Sequence, residues 1–201
     1  MIDAKLLPLQ HGLLRGPARR LAPWVTADQV SLAGFVLGAL AVPALAFGLY
    51  GLALVLLALN RVADGLDGAV ARINGPTDRG AFLDIALDFV FYALFPLGFA
   101  LADPGVNALP AAVLIASFVG TGSSFLAFAS IAARRGLTAK EYPSKGIYYL
   151  GGLTEGFETI AVFALMALNP AWFVVLAYGY AAACCVTTAL RWRMGCQAFA
   201  S

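Results

Sequence analysis

Histidine is all but absent from this chain. His11 is the single example in 201 residues and lies among leucines and basic residues near the N-terminus, so catalysis built on an imidazole is discounted. Cysteine is scarce too: Cys184 and Cys185 sit in the last apolar run and Cys196 near the C-terminus, with no CxxC spacing and no histidine partner. They read as small apolar packing residues rather than metal ligands or disulfide partners. Charge is sparse at 12%, and the net charge of +2 suits anionic headgroups while being too small to suggest nucleic acid. No short apolar core with a small-residue cleavage site precedes the first long apolar run, so a cleavable signal peptide is not expected.

What fills the chain instead is hydrocarbon. Hydrophobic residues make up 61% and the mean hydropathy is +0.84, far outside the composition of a soluble domain. The apolar runs predict an all-α integral membrane protein with six spanning helices: Val30 to Phe47, Leu49 to Asn60 running on into a polar motif, Gly80 to Leu101, Ala108 to Ala132, Ile147 to Leu168, and Ala171 to Leu190. Residues 1–24 mix leucines with basic residues, are interrupted by Pro8 and Pro17, and read as an interfacial amphipathic segment. Residues 25–195 then form one transmembrane catalytic domain and residues 196–201 a tail.

All 13 basic residues fall on one side of this plan. They precede the first span, flank the second connection as Arg61, Arg72 and Arg79, fill the fourth from Arg134 to Lys145, and follow the last span as Arg191 and Arg193. The opposite turns contain none, which predicts that both termini face the cytoplasm. Richness in Ala, Leu, Gly and Arg suggests a prokaryotic inner membrane.

Against that background four carboxylates stand out: Asp64, Asp67, Asp84 and Asp88, in the pattern DxxDGxxAR, seven residues, GxxxDxxxD. Acids in membrane-grade sequence are costly and mark function. At 100° per residue, Asp64, Asp67, Gly68, Ala71 and Arg72 share one helical face within an arc of roughly 140°. Gly80, Asp84 and Asp88, spaced by four, share a face of the next helix. The run from Gly51 to Ala63 gives about 20 Å of helix against a core of roughly 30 Å, which puts Asp64 about 10 Å inside the cytoplasmic boundary. Asp84 and Asp88 come out at similar depth.

Clustered acids at that depth need cations, because desolvation and mutual repulsion both oppose their ionised forms. Hard oxygen ligands without His or Cys suit Mg²⁺ or Mn²⁺. Two ions bridged by shared carboxylates would leave positions open for phosphate oxygens, which points to phosphoryl transfer involving a lipid at the inner interface. Gly68 and Ala71 on the acidic face either admit a flat or bulky group close to the backbone or serve close helix packing.

Together, Asp64, Asp67, Gly68, Ala71, Arg72, Gly80, Asp84 and Asp88 closely resemble the signature of the CDP-alcohol phosphotransferase (phosphatidyltransferase) family. Residues 26–34, TADQVSLAG, are similar to that family's TPNxxS/T lead into its first span. The resemblance implies that Asp64, Asp67, Asp84 and Asp88 ligate two divalent ions, with Asp88 also the general base. It implies a cytidine diphosphate site lined by Gly68, Ala71 and Arg72, with Thr77, Thr26 and Asp28 as further nucleotide contacts, and a homodimer packed through its spans. An alcohol would attack the β-phosphorus of a CDP-linked lipid such as CDP-diacylglycerol, and CMP would leave. Two features depart from the family pattern: seven residues separate Arg72 from Gly80 where eight are common, and Ala27 and Asp28 replace Pro and Asn. Asp28 can cap a helix or contact substrate.

Candidates for the acceptor side are Lys145, beside Tyr148 and Tyr149, and the pair Glu155 and Glu158, expected on one helix about 10 Å or more into the fifth span. The two acids form either a structural pair or an acceptor site. Acids would suit an amine or polyol, whereas a phosphorylated acceptor would need the Arg and Lys cluster. Two other functions compete with this one: an aspartate-lined cation transporter, and a membrane prenyl-diphosphate transferase. The transporter predicts polar residues continuing past Asp88, where the sequence is FVFYALFPLGFALA. The transferase's relatives are usually longer and lack DGxxAR.

Overall fold

A computed structural model describes residues 2–136 and 152–200, with side chains from residue 12 onward. Among these residues the chain is entirely helical. Seven α-helices follow one another: α1 Ile2–Leu21, α2 Ala27–Ala46, α3 Tyr50–Asn74, α4 Asp78–Ala102, α5 Pro104–Arg134, α6 Gly156–Leu168 and α7 Phe173–Ala198, with a 3₁₀ turn at Pro170–Trp172 before α7. Four stretches are long and apolar enough to cross a membrane: α2, α4, α5, and α7 together with its 3₁₀ turn. The acid-bearing α3 is 25 residues long, and α6 is a shorter apolar helix of 13 residues.

Local chemistry sets the boundaries. Thr26 opens α2 with a capping box, its hydroxyl accepting from Gln29 N and the Gln29 side chain accepting from Thr26 N. Gly48 and Gly75 carry the positive φ values of 72° and 96° that turn the chain after α2 and α3. Thr77 caps α4 by accepting from Gly80 N at 3.0 Å, and Asp103 caps α5 by accepting from Val106 N at 3.2 Å. Pro8 and Pro17 notwithstanding, α1 is one helix. Each proline forfeits one backbone bond, and burial of Ala18 and Ala22 against Ala69 and Val70 of α3 offsets that loss.

The core lies where the sequence runs aromatic. Phe91, Phe95 and Phe99, spaced by four along α4, are fully buried. Phe95 stacks on Phe163 of α6 with centroids 4.6 Å apart, and Phe99 on Phe173 of α7 at 4.4 Å. Gly34 of α2 lets α3 come close, since a Cβ there would lie 2.7 Å from the Ala63 Cβ. The apolar half of α4 is thus locked into the core, and its acidic half faces α3 and α2.

Candidate active site

The four aspartates are presented by the C-terminal half of α3 and the N-terminal half of α4. One carboxylate oxygen from each of Asp64, Asp84 and Asp88 lies within 4.8 Å of the others. Asp67 lines the same small cavity, of about 20 Å³, but is buried, and its Oδ2 accepts from Ser31 Oγ of α2 at 2.5 Å. Three acids therefore converge, with the fourth beside them and tied to α2.

The cation in this cluster is Arg61, a residue read from sequence only as a marker of membrane orientation. Its Nη2 donates to Asp88 Oδ1 at 3.0 Å, and its Nη1 lies 3.8 Å from Asp64 Oδ2. Its Nε donates to Asn60 Oδ1 at 2.8 Å, while Asn60 Nδ2 donates to the Gly34 carbonyl at 2.9 Å. The Phe91 ring packs under the guanidinium, 5.2 Å from Cζ to centroid. Tyr92 OH stands 3.5 Å from Asp88 Oδ2. Sequence reasoning gave no site role to Ser31, Asn60, Arg61 and Tyr92, although Ser31 stands at the S/T of the TPNxxS/T-like lead and Asn60 and Arg61 are adjacent polar residues in an apolar span.

Around the nucleotide candidates the findings are mixed. A Cβ on Gly68 would meet only the Arg72 side chain, at 3.5 Å, so that face is open rather than packed on a neighbouring helix. Thr26 and Thr77 serve as helix caps, and Asp28 Oδ2 accepts from Arg79 Nε at 2.6 Å in an ion pair whose Arg79 side chain is largely exposed. Gly80 brings these groups together: a Cβ there would lie 3.2 Å from both Asp28 Oδ1 and Thr77 Oγ1. The beginnings of α2 and α4 therefore meet at one point.

On the acceptor side the expected helix begins later than predicted. Glu155 is the N-cap of α6 and Glu158 lies in its first turn, so the pair is not set on the interior of a helix. In the sequence, Gly151, Gly152 and Thr154 are turn and cap signals that the expected span from Ile147 runs through. Glu158 Oε2 accepts from Glu155 N at 3.2 Å, and Glu155 Oε1 accepts from Gly152 N at 3.1 Å. Glu155 is buried and lines a second cavity of about 130 Å³, together with Tyr92, Thr121, Thr159 and Arg191; Glu158 does not line it. Lys145, Tyr148 and Tyr149 lie outside the described residues. Arg191, expected just past the last span, is buried within α7 and donates to the Thr121 carbonyl at 3.0 Å. The C-terminus is docked as well, with the Phe199 ring 4.8 Å from that of Phe128.

A hard-oxygen donor set converging on a space the size of a water molecule fits Mg²⁺ or Mn²⁺. Past Asp88 one face of α4 closes with the buried Phe91, Phe95 and Phe99, while Tyr92 on another face borders the second cavity.

Comparison with known proteins identifies a family and a fold. A model of the family described as CDP-alcohol phosphatidyltransferase matches residues 24–190. The chain is 52% identical over 192 residues to the inner membrane protein YnjF of Escherichia coli (strain K12), covering 95% of this chain and 93% of that one. In fold it is similar to Mycobacterium tuberculosis phosphatidylinositol phosphate synthase (PgsA1), whose crystal structure has CDP-DAG bound. The TM-score is 0.73 at 18% identity, over 91% of this chain and 93% of that one.

Proposed function

The chain belongs to the CDP-alcohol phosphatidyltransferase family of membrane enzymes, and on that footing we propose that it transfers a phosphatidyl group from a CDP-linked lipid such as CDP-diacylglycerol to an alcohol, releasing CMP. The observation that carries this reading is the convergence of Asp64, Asp84 and Asp88 at the meeting of α3 and α4, beside the open face of Gly68. The donor's nucleotide lies along Gly68, Ala71 and Arg72 and is approached by Thr26, Asp28 and Thr77 at the starts of α2 and α4. The acceptor enters from the cavity lined by Glu155 and Tyr92, with Glu158 acting through the turn it shares with Glu155.

Asp88 is the group between the two spaces. Its Oδ1 is held by Arg61 and its Oδ2 faces the Tyr92 hydroxyl, at the border of the acceptor cavity. It takes the proton of the acceptor hydroxyl as the oxygen bonds to the β-phosphorus and the bond to CMP breaks. Two divalent ions held by Asp64, Asp67, Asp84 and Asp88 would supply the positive charge that stabilises the transferring phosphoryl group and the departing phosphate. The chain's own contribution is to hold donor and acceptor in line and to bury the reaction between helices.

In this reading α3 and α6 join the four long apolar helices to make six spans, with both termini and the site on the cytoplasmic side of an inner membrane. The protein pairs as a homodimer through its spans. The inner-membrane assignment draws on the similarity to YnjF, and the pairing on family resemblance alone.

The test is CMP release by the purified protein with CDP-diacylglycerol, Mg²⁺ or Mn²⁺ and a panel of amine, polyol and phosphorylated acceptors. Metal-dependent release is expected with at least one acceptor, falling at least a hundredfold in Asp88→Asn and on chelation, as expected for loss of a general base (about 10²–10⁴-fold). Absence of metal-dependent release with every acceptor, or undiminished turnover in Asp88→Asn, overturns the proposal.

A further inference from the structure

Arg61 stands inside the aspartate cavity yet forms no part of the DxxDGxxAR pattern. Its placement is over-determined. Nε is fixed by Asn60, which is itself fixed by the Gly34 carbonyl, and Phe91 backs the guanidinium plane. What remains, Nη1 and Nη2, is directed at Asp64 and Asp88. An arginine stays charged at any working pH, so this positive charge is permanent.

Three carboxylates within 4.8 Å repel one another strongly at membrane depth, and Arg61 relieves that repulsion between the two it touches. The same contacts set it against a divalent ion. An ion bound between Asp64 and Asp88 competes with Arg61 for the same two carboxylates, and it does so beside a like charge. We propose that Arg61 is a built-in counter-cation that holds Asp64 and Asp88 together before divalent ions bind, so that loading the site exchanges guanidinium contacts for metal contacts. The inference deepens the proposed function, resting on its assignment of these aspartates as a divalent-cation site.

The experiment titrates Mn²⁺ into the purified full chain by calorimetry and follows melting temperature with and without the ion. Wild type is compared with Arg61→Gln, Arg61→Lys and the charge control Arg135→Gln, whose site lies at the docked C-terminus. Arg61→Gln is expected to bind Mn²⁺ about tenfold more tightly, because a like charge and a competing donor are removed together. It should also melt lower than wild type without metal and gain more on saturation. Arg61→Lys keeps the charge but not the forked contact and should fall between, at about threefold. Arg135→Gln should match wild type in Mn²⁺ affinity and in the gain in melting temperature on saturation.

A merely structural arginine behaves differently: its loss lowers the melting temperature equally with and without Mn²⁺ and leaves the affinity unchanged, and that result overturns the inference. Weaker binding in Arg61→Gln, an equal gain in affinity in Arg135→Gln, or no Mn²⁺ binding in any form overturns it as well. If Arg61→Gln does not fold, Arg61→Lys decides alone, and unchanged or weaker affinity there overturns it. Wild type that binds Mn²⁺ but releases no CMP removes the proposed function and leaves this inference to the binding data.

Discussion

The four aspartates occupy two kinds of environment, and the difference comes down to single residues. Asp64, Asp84 and Asp88 face one another, whereas the buried Asp67 has an oxygen fixed by the Ser31 hydroxyl. Removing that hydroxyl takes one donor from a buried carboxylate, a loss of about 1.5–3 kcal/mol for a charged hydrogen bond. If Asp67 must hold its rotamer for the site to work, Ser31→Ala lowers kcat/KM for CMP release by about tenfold or more, at roughly 1.4 kcal/mol per decade. Ser31→Thr, which keeps the hydroxyl, recovers most of it, and Ser31→Ala within twofold of wild type would sink the idea. The acids were legible because each is expensive in an apolar helix. Their supports were not, because Ser31, Asn60 and Arg61 act on partners 36, 26 and 27 residues away on other helices. Helical periodicity places residues on a face of their own helix and says nothing of which neighbour that face meets.

Among the elements, the long apolar helices were readable to within a few residues, since length and turn chemistry both mark them. The beginning of α6 was not, because its N-cap is Glu155, outside the usual Ser, Thr, Asp and Asn set, and the Gly151, Gly152 and Thr154 signals before it were passed over in favour of one long span. The end of α7 was missed for a related reason: Arg191 looks like a membrane-edge charge but is buried between helices, and the helix runs on to Ala198. Helix spacing decides the geometry of the site, because Asn60 reaches the Gly34 carbonyl only while α2 and α3 stay close. A Cβ on Gly34 would meet the Ala63 Cβ at 2.7 Å, so Gly34→Ala must push the helices apart, an overpacking cost of about 1–3 kcal/mol. At roughly 2–4 °C per kcal/mol for a chain of this size, the melting temperature should drop by several degrees and CMP release with it. The double variant Gly34→Ala with Ala63→Gly moves the methyl from one helix to the other and should recover both. Failure of the second change to restore either would show that α2 and α3 spacing is not what Gly34 protects.

For the molecule as a whole, the acidic site and the charge distribution point to one orientation. Arg61 and Arg191 lie inside the protein and no longer count as loop markers, yet in the sequence plan the remaining Lys and Arg residues still belong to the ends and connections expected on the side of the α3–α4 connection. The α4–α5 turn at Asp103 carries none. On the proposed function, a polar, nucleotide-bearing donor headgroup would reach Gly68 and Arg72 from that same basic side, so orientation and chemistry make one demand. Cysteine labelling can check it in cells, with Cys184, Cys185 and Cys196 first replaced by alanine. Val106→Cys, 58% exposed beside the α4–α5 turn, should react with a membrane-impermeant maleimide in intact spheroplasts. Pro76→Cys, exposed between α3 and α4, should react only after the membrane is permeabilised. The reverse pattern would invert the protein and place the aspartates opposite the basic loops' expected compartment. Labelling of both from one side would mean that α4 does not cross, which would remove the depth argument that makes clustered acids on α3 and α4 demand cations.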